Sequence, residues 1–302
     1  MIYTFKRWIY NFKLIIADFV TGIGLFWLVV EIASFSTNGS IDVHLKSVCF
    51  FTFVSLVILF ISLFKNKPKT SFVYKLRDKD NFIEIKVGDA FANTGSLIVP
   101  INDCFDVSLG GNVKKAKSLQ NRLTKDFYAG KEEHLAIDIF KKIDRSKIPY
   151  EIGTTIEVEQ NGKVFYLLVN SKKKENNRVE SSADDFLLSL SSVWSYVALE
   201  TGRNSVVTIP LLSTNHGRIT NINRETAIKE IIDSYIDASK ALNVADKIII
   251  SIHPDDIKKG NINLDELDEF LRFACFHYKV TTFSEKPEGQ ADSASVVESI
   301  RR

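Results

Sequence analysis

Two patterns of apolar and polar positions divide the chain. Ser47 to Phe64 reads SVCFFTFVSLVILFISLF, eighteen positions without a charge. As a helix this run is about 27 Å long, close to the roughly 30 Å of a bilayer core. Leu14 to Phe35 is nearly as apolar, with Asp18 and Glu31 toward its ends and an uncharged stretch, Phe19 to Val30, between them. Carboxylates placed near the interfaces reach headgroups or water, which keeps their cost modest. The pattern predicts two membrane-spanning helices, at about 14–35 and 45–64. A secretory signal peptide is the competing reading; it fits poorly, because a second apolar segment follows at once and no small-residue cleavage site is evident.

From Phe72 onward the period changes, and short β-rich runs alternate with helical ones, as in an α/β domain with a mixed sheet. Strands are predicted at Phe82–Val87, Ser96–Pro100, Ser205–Pro210 and Lys247–Ile252, with a last one in YKVTTF. TTIEVEQNGKVFYLLVN reads as a hairpin turning at Asn161-Gly162. Helices are predicted at about Val113–Phe127, Lys131–Ile143, Ser182–Thr201, Arg224–Leu242 and Leu264–Phe276. Ser171 to Asn177 reads as a solvated loop, and residues 285–302, rich in Ser, Glu and Gly, as a loose tail. The domains expected are therefore a hairpin over 1–69, an α/β unit over 70–284 and the tail.

Composition sharpens this division. The first 64 residues hold ten of the 22 phenylalanines but only seven charged side chains. Basic and acidic residues nearly balance at 39 against 37, which argues against a nucleic-acid-coating surface. Three separated cysteines argue against a disulfide scaffold. Lys6, Arg7 and Lys13 precede the first apolar run, and Lys65, Lys67 and Lys69 follow the second, which places both ends in the cytoplasm. Ala17, Thr21 and Gly24 form a small-residue stripe, and Thr52, Ser55 and Ser62 share a face of the second run. Packing within the hairpin and self-association into a larger assembly both use such stripes.

The five histidines lie far apart, without the spacing of a metal site, and no nucleophile elbow, Walker loop or dinucleotide fingerprint occurs. What remains is loops at strand ends, where open α/β sheets bind ligands. Gly88-Asp89 follows the first strand. Its carboxylate can accept from an exocyclic amine such as adenine N6, or cap the next turn. Pro100-Ile101-Asn102-Asp103 leads to Gly110-Gly111-Asn112-Val113, where paired glycines before a helix either cradle a phosphate or simply turn the chain. Ser213-Thr214-Asn215-His216-Gly217-Arg218 follows another strand. Its hydroxyls, amide and guanidinium suit a phosphate or ribose, although Arg218 and His216 also read as solvated loop residues.

Taken in order, IKVGDAFANTGSLIVPIND…LGGNV and, further on, VVTIPLLSTNHGR resemble the macro domain, an ADP-ribose-binding α/β/α sandwich. Two spans ahead of it resemble the transmembrane–macro effectors of Thoeris anti-phage defence. The resemblance implies a fold of α/β class: a two-helix transmembrane hairpin followed by a macro-like three-layer α/β/α sandwich with a mixed central sheet. It also implies adenine contact by Asp89 and distal-ribose contact near Asn102 and Asp103. Gly110, Gly111, Asn112 and Val113 would form one phosphate loop, and Ser213, Thr214, Asn215, His216, Gly217 and Arg218 the other.

The ligand implied is an ADP-ribose derivative, reported for this branch as a histidine conjugate, made by a TIR-domain partner, with no further cofactor. A homo-oligomeric membrane effector in the cell inner membrane, multi-pass and without nucleic-acid partners, is the expectation. Pro100-Ile101-Asn102-Asp103 stands where hydrolytic macro domains carry an Asn-Ala-Ala-Asn run, and Ser213 and Asn215 stand where glycines are usual. Binding without catalysis is therefore expected. An ADP-ribosyl hydrolase using Asp103 or Asn102, and a passive membrane-anchored binding module, are the alternatives.

Overall fold

The computed structural model describes residues 2–40, 47–66, 70–107, 118–176, 178–199, 206–212, 222–260 and 262–278, excepting the side chains of 2–11 and 258–260. The first two helices, α1 (Ile2–Ser36) and α2 (Val48–Lys65), pack against one another. Ser47 caps α2, its hydroxyl accepting from Phe50 N–H. The stretches Phe12–Ser36 and Val48–Lys65 are each long and apolar enough to cross a membrane.

The seam between these helices combines aromatic contacts, Phe26 with Phe50 and Phe51 at ring centroids of 6.1 and 6.3 Å and Trp27 edge-on to Phe51, with polar and small groups. Ser62 Oγ donates to the Ile15 carbonyl at 2.8 Å. A Cβ on Gly22 would lie 2.6 Å from Ile58 Cγ2, so the helices close over a missing side chain. At one end Asn66 Nδ2 and Lys65 Nζ donate to the two oxygens of Asp18, at 2.8 and 3.1 Å. The stripe Ala17, Thr21 and Gly24 lies outside this seam: all three are exposed, and a Cβ on Gly24 would meet nothing. Of the second helix's hydroxyls, Ser62 enters the seam, while Thr52 bonds back to its own helix at Val48.

The remainder is built on one mixed sheet with strand order β1-β2-β8-β7-β3-β5-β4, β6 pairing with β5. The strands are β1 (Ser71–Lys75), β2 (Phe82–Val87), β3 (Ser96–Asn102), β4 (Thr155–Gln160), β5 (Lys163–Lys173), β6 (Val179–Glu180), β7 (Val206–Pro210) and β8 (Lys247–Ile252). Five of them, β2, β8, β7, β3 and β5, run parallel; β1, β4 and β6 are antiparallel to their neighbours. Central strands read as unbroken apolar runs because both faces are covered. In β3, Ile98 belongs to one core, and Leu97, Val99 and Ile101 belong to the other.

The helices are α3 (Leu119–Phe127), α4 (Glu132–Phe140), α5 (Ala183–Leu199), α6 (Arg224–Ala241), α7 (Pro254–Gly260) and α8 (Leu264–Phe276). Residues of α5, α6 and α8 complete the larger core, where Trp194 meets Tyr235 edge-on and donates from Nε1 to Ser234. Residues of α3 and α4 complete the smaller one. The result is the expected α/β/α sandwich behind a two-helix hairpin.

Most predicted elements are present. Asn161 and Gly162, both at positive φ, turn the β4–β5 hairpin. The expected solvated loop at Ser171–Asn177 is corrected in part: Ser171, Lys172 and Lys173 continue β5, because Ser171 pairs with Asn102 of β3 and is buried. Three short elements, β1, β6 and α7, add to those predicted. Of YKVTTF only Tyr278, buried, falls among the described residues; the rest of that stretch and the tail lie outside them.

Candidate functional site

In a parallel sheet all the C-terminal strand ends lie along one edge, and the loops leaving them share it. Here that edge brings together Gly88-Asp89 after β2, His253 after β8, Leu211-Leu212 after β7 and Asn102-Asp103 at the end of β3. Asp89 and Asn102 stand three strands apart, at least roughly 14 Å, with the ends of β8 and β7 between them and with β3 and β7 paired only at Ser96–Val207 and Leu97–Thr208. A single ligand touching both must therefore be elongated and must cross those two strand ends.

Asp89 takes the capping role that its spacing allowed. Its carboxylate caps the 3₁₀ turn Ala90–Ala92, accepting from Phe91 N–H at 3.1 Å. Arg122 of α3 also grips it through two nitrogens, at 2.6 and 2.9 Å. That guanidinium lies over the Phe91 ring and reaches Asp126 as well. The Arg122 hydrogen bonds, with the Phe91 amide, hold the Asp89 carboxyl below the usual carboxylate range against the opposing effect of burial. Asp89 is thus an ionised acceptor in a fixed orientation, and its side chain remains 41% exposed. Lys163 fastens the same turn from below, donating to the Phe91 and Asn93 carbonyls at 2.8 Å each.

Asn102 and Asp103 are both buried and shape the next loop. Asn102 Oδ1 accepts from the amides of Cys104 and Asp106, at 3.0 and 3.2 Å, while its carbonyl accepts from Phe105. This tight turn holds Phe105 at a φ of 48°. Asp103 Oδ1 accepts from Lys173 N–H at 2.9 Å, its amide donates to the Ser171 carbonyl, and its carbonyl accepts from Tyr150. Lys173 Nζ pairs with Asp106. Burial, followed by the neighbouring Asp103 charge, pushes the Cys104 thiol up, so it stays protonated near neutrality.

Gly110, Gly111, Asn112 and Val113, and Ser213, Thr214, Asn215, His216, Gly217 and Arg218, lie outside the described residues. By sequence, the second group follows Leu211-Leu212, the residues that leave β7. Arg122 and Lys173 are site residues that the sequence reading missed. Each acts on a carboxylate far away in the chain, and no local spacing marks such a pairing. A shallow groove lined by Lys229, Glu266, Glu269, Phe270, Arg272, Phe273 and Phe276 belongs to α6 and α8 and takes in none of these residues.

A mixed sheet between two helical layers, with a Gly-Asp pair and an Asn-Asp pair along one edge, is the macro-like α/β fold. Residues 83–253 match the family described as the Thoeris protein ThsA, macro domain, and the chain belongs to that family. Among solved structures, it is similar to a point-substituted macrodomain of Oceanobacillus iheyensis at 16% identity and a TM-score of 0.46, covering 67% of this chain and 99% of that one. The same macrodomain solved with ADP matches at 13% identity and a TM-score of 0.41, over 67% and 99%. A protein of unknown function from Bacteroides thetaiotaomicron matches at 16% identity and a TM-score of 0.36, over 56% and 96%. No curated protein matches.

Proposed function

We propose that the chain is a membrane-anchored sensor of anti-phage defence whose sheet edge binds an ADP-ribose-derived signal. The observation carrying this reading is the juxtaposition at that edge. An ionised, oriented Asp89 stands three strands, at least about 14 Å, from the Asn102-Asp103 turn, with the ends of β7 and β8 between them. Adenine at Asp89, a diphosphate across the middle strand ends and a distal ribose at Asn102 fill such a span. The family to which the chain belongs supports the same ligand class. On this reading Gly110 to Val113 and Ser213 to Arg218 supply the phosphate contacts, and a TIR-domain partner supplies the signal, a histidine conjugate of ADP-ribose.

Binding is favoured over hydrolysis by what Asn102 and Asp103 already do. Asn102 Oδ1 is committed to two amides and Asp103 Oδ1 to a third. The helices α1 and α2 cross the cell inner membrane with both chain ends in the cytoplasm. They act when ligand favours a self-assembled state. To carry assembly from nearly absent to nearly complete, the ligand must bind the assembled state about 10⁴-fold more tightly. Leakage of liposomes carrying the full chain, triggered by micromolar ADP-ribose conjugates and accompanied by cross-linked oligomers, is the expected outcome. Leakage indifferent to every such ligand would overturn the effector reading.

A further inference from the structure

The attachment between hairpin and sheet lies at a telling place. Strand β1 runs antiparallel to β2, with Ser71 opposite Lys86 and Lys75 opposite Phe82. The first residue of β1 therefore stands at the C-terminal end of β2, beside Gly88 and Asp89. The Thr70 carbonyl accepts from Val87 N–H at 2.8 Å, and in the next rung Gly88 N–H donates to the Ile252 carbonyl. Asn66, the residue that closes α2, is tied to Asp18 of α1, so this end of the hairpin is fixed. Four residues lead from Asn66 to Thr70, and fully extended they span at most about 14 Å.

From this geometry we infer that the ligand-reading edge of the sheet is its membrane-proximal edge, resting against the anionic headgroups of the leaflet that α2 leaves. The inference rests on the reading of α1 and α2 as membrane spans. The other end of the sheet, at the turn between Lys75 and Phe82, stands one strand length farther off, roughly 20 Å. Charge fits this occupant. Lys65 lies at the exit of the span, and Lys67 and Lys69 follow it in sequence. Three carboxylates along the edge are paired with cations, Asp89 with Arg122, Asp106 with Lys173 and Asp256 with Arg224, while Asp103 is buried and accepts from the Lys173 amide. A ligand crossing the strand ends thus enters beside the headgroups. It is read one rung from the Val87–Thr70 bond that joins sheet to linker.

The test uses the full chain in liposomes containing phosphatidylserine, with a fluorescent amino acid placed at His253 or at Asp80. Both side chains are exposed, and they lie at opposite ends of the sheet. Energy transfer to a headgroup-labelled lipid is expected to place the His253 label roughly 20 Å closer to the bilayer than the Asp80 label. A flexible Gly-Ser insert after Asn66 is expected to abolish the difference. Should either label unfold the chain, Asp255 and Lys75 serve in their place. Equal distances, or a closer Asp80 label, in protein that resists alkaline extraction would overturn this inference alone. Release by alkaline extraction would overturn the span reading and this inference with it.

Discussion

The hairpin and the sheet domain distribute polarity in opposite ways. In the domain, Ile83, Ile250, Trp194 and their neighbours are wholly buried, and charged side chains lie outside these apolar clusters. In the hairpin, Leu25, Val29, Ile32 and Phe35 stand exposed, and the seam sets a serine hydroxyl, a glycine and an Asp–Lys–Asn cluster beside buried Ile15 and Val30 and the contacts of Phe26 with Phe50 and Phe51. Water drives the first arrangement, because burying such side chains stabilises each by about 1.5–3 kcal/mol. It cannot hold the second together in a bilayer, where lipid is as apolar as leucine and association relies on close packing and hydrogen bonds. With α1 and α2 read as membrane spans, one chain carries two packing rules.

The same truncation applied on the two sides is the strongest way to break the comparison. Ile250→Ala in the domain core is expected to destabilise it by about 2–5 kcal/mol, read as a lowered thermal midpoint by circular dichroism. Leu25→Ala on the outer face of α1 is expected to stay within about 0.5 kcal/mol in detergent. Comparable losses would mean that the hairpin is held by apolar burial after all. Next in size is Gly22→Ala. The added methyl meets Ile58 at 2.6 Å and is expected to cost about 1–3 kcal/mol of hairpin stability, followed by Trp27 fluorescence during detergent denaturation. Gly24→Ala, with open space around it, is the control and is expected to be neutral in the isolated hairpin.

The smallest effect concerns the Asp89–Arg122 pair, which is partly exposed and worth less than about 1 kcal/mol. The Asp89 carboxyl is held below its ordinary value in the folded chain. Its contribution is therefore present above the ordinary aspartate range and is lost as pH falls through the lowered folded value. Wild type and Arg122→Ala are expected to differ in urea midpoint at neutral pH and to converge in acid. A difference that persists below that range would mean that Arg122 stabilises through its stacking on Phe91 instead.

Much of this was legible in the sequence, for stated physical reasons. The two apolar helices and the central strands are visible because an uncharged run and a two-sided strand leave strong periodic marks. Asn161-Gly162 announced its turn because both positions need positive φ. The seam of the hairpin was not legible. Ala17, Thr21 and Gly24 share a face as Gly22 does with Asp18, and only the helix crossing selects between them. At the site, Gly-Asp spacing marked Asp89 as a cap for the next turn or an acceptor, and the cap is what it forms. Its clamp by Arg122, 33 residues away, depends on how α3 packs beneath the sheet edge, which no spacing reports. The turn-shaping role of Asn102 was likewise hidden, because an amide that binds its own loop and one that binds a ribose look identical in sequence.

The central claim is that the sheet edge reads an ADP-ribose-type ligand through Asp89. Titration calorimetry of the full chain in nanodiscs, with ADP-ribose and its amino-acid conjugates, tests it most directly. Saturable binding is expected, weakened roughly 10- to 100-fold by Asp89→Ala, the loss of one hydrogen bond to a charged group. No heat with any of these ligands, or binding untouched by Asp89→Ala, would contradict the account.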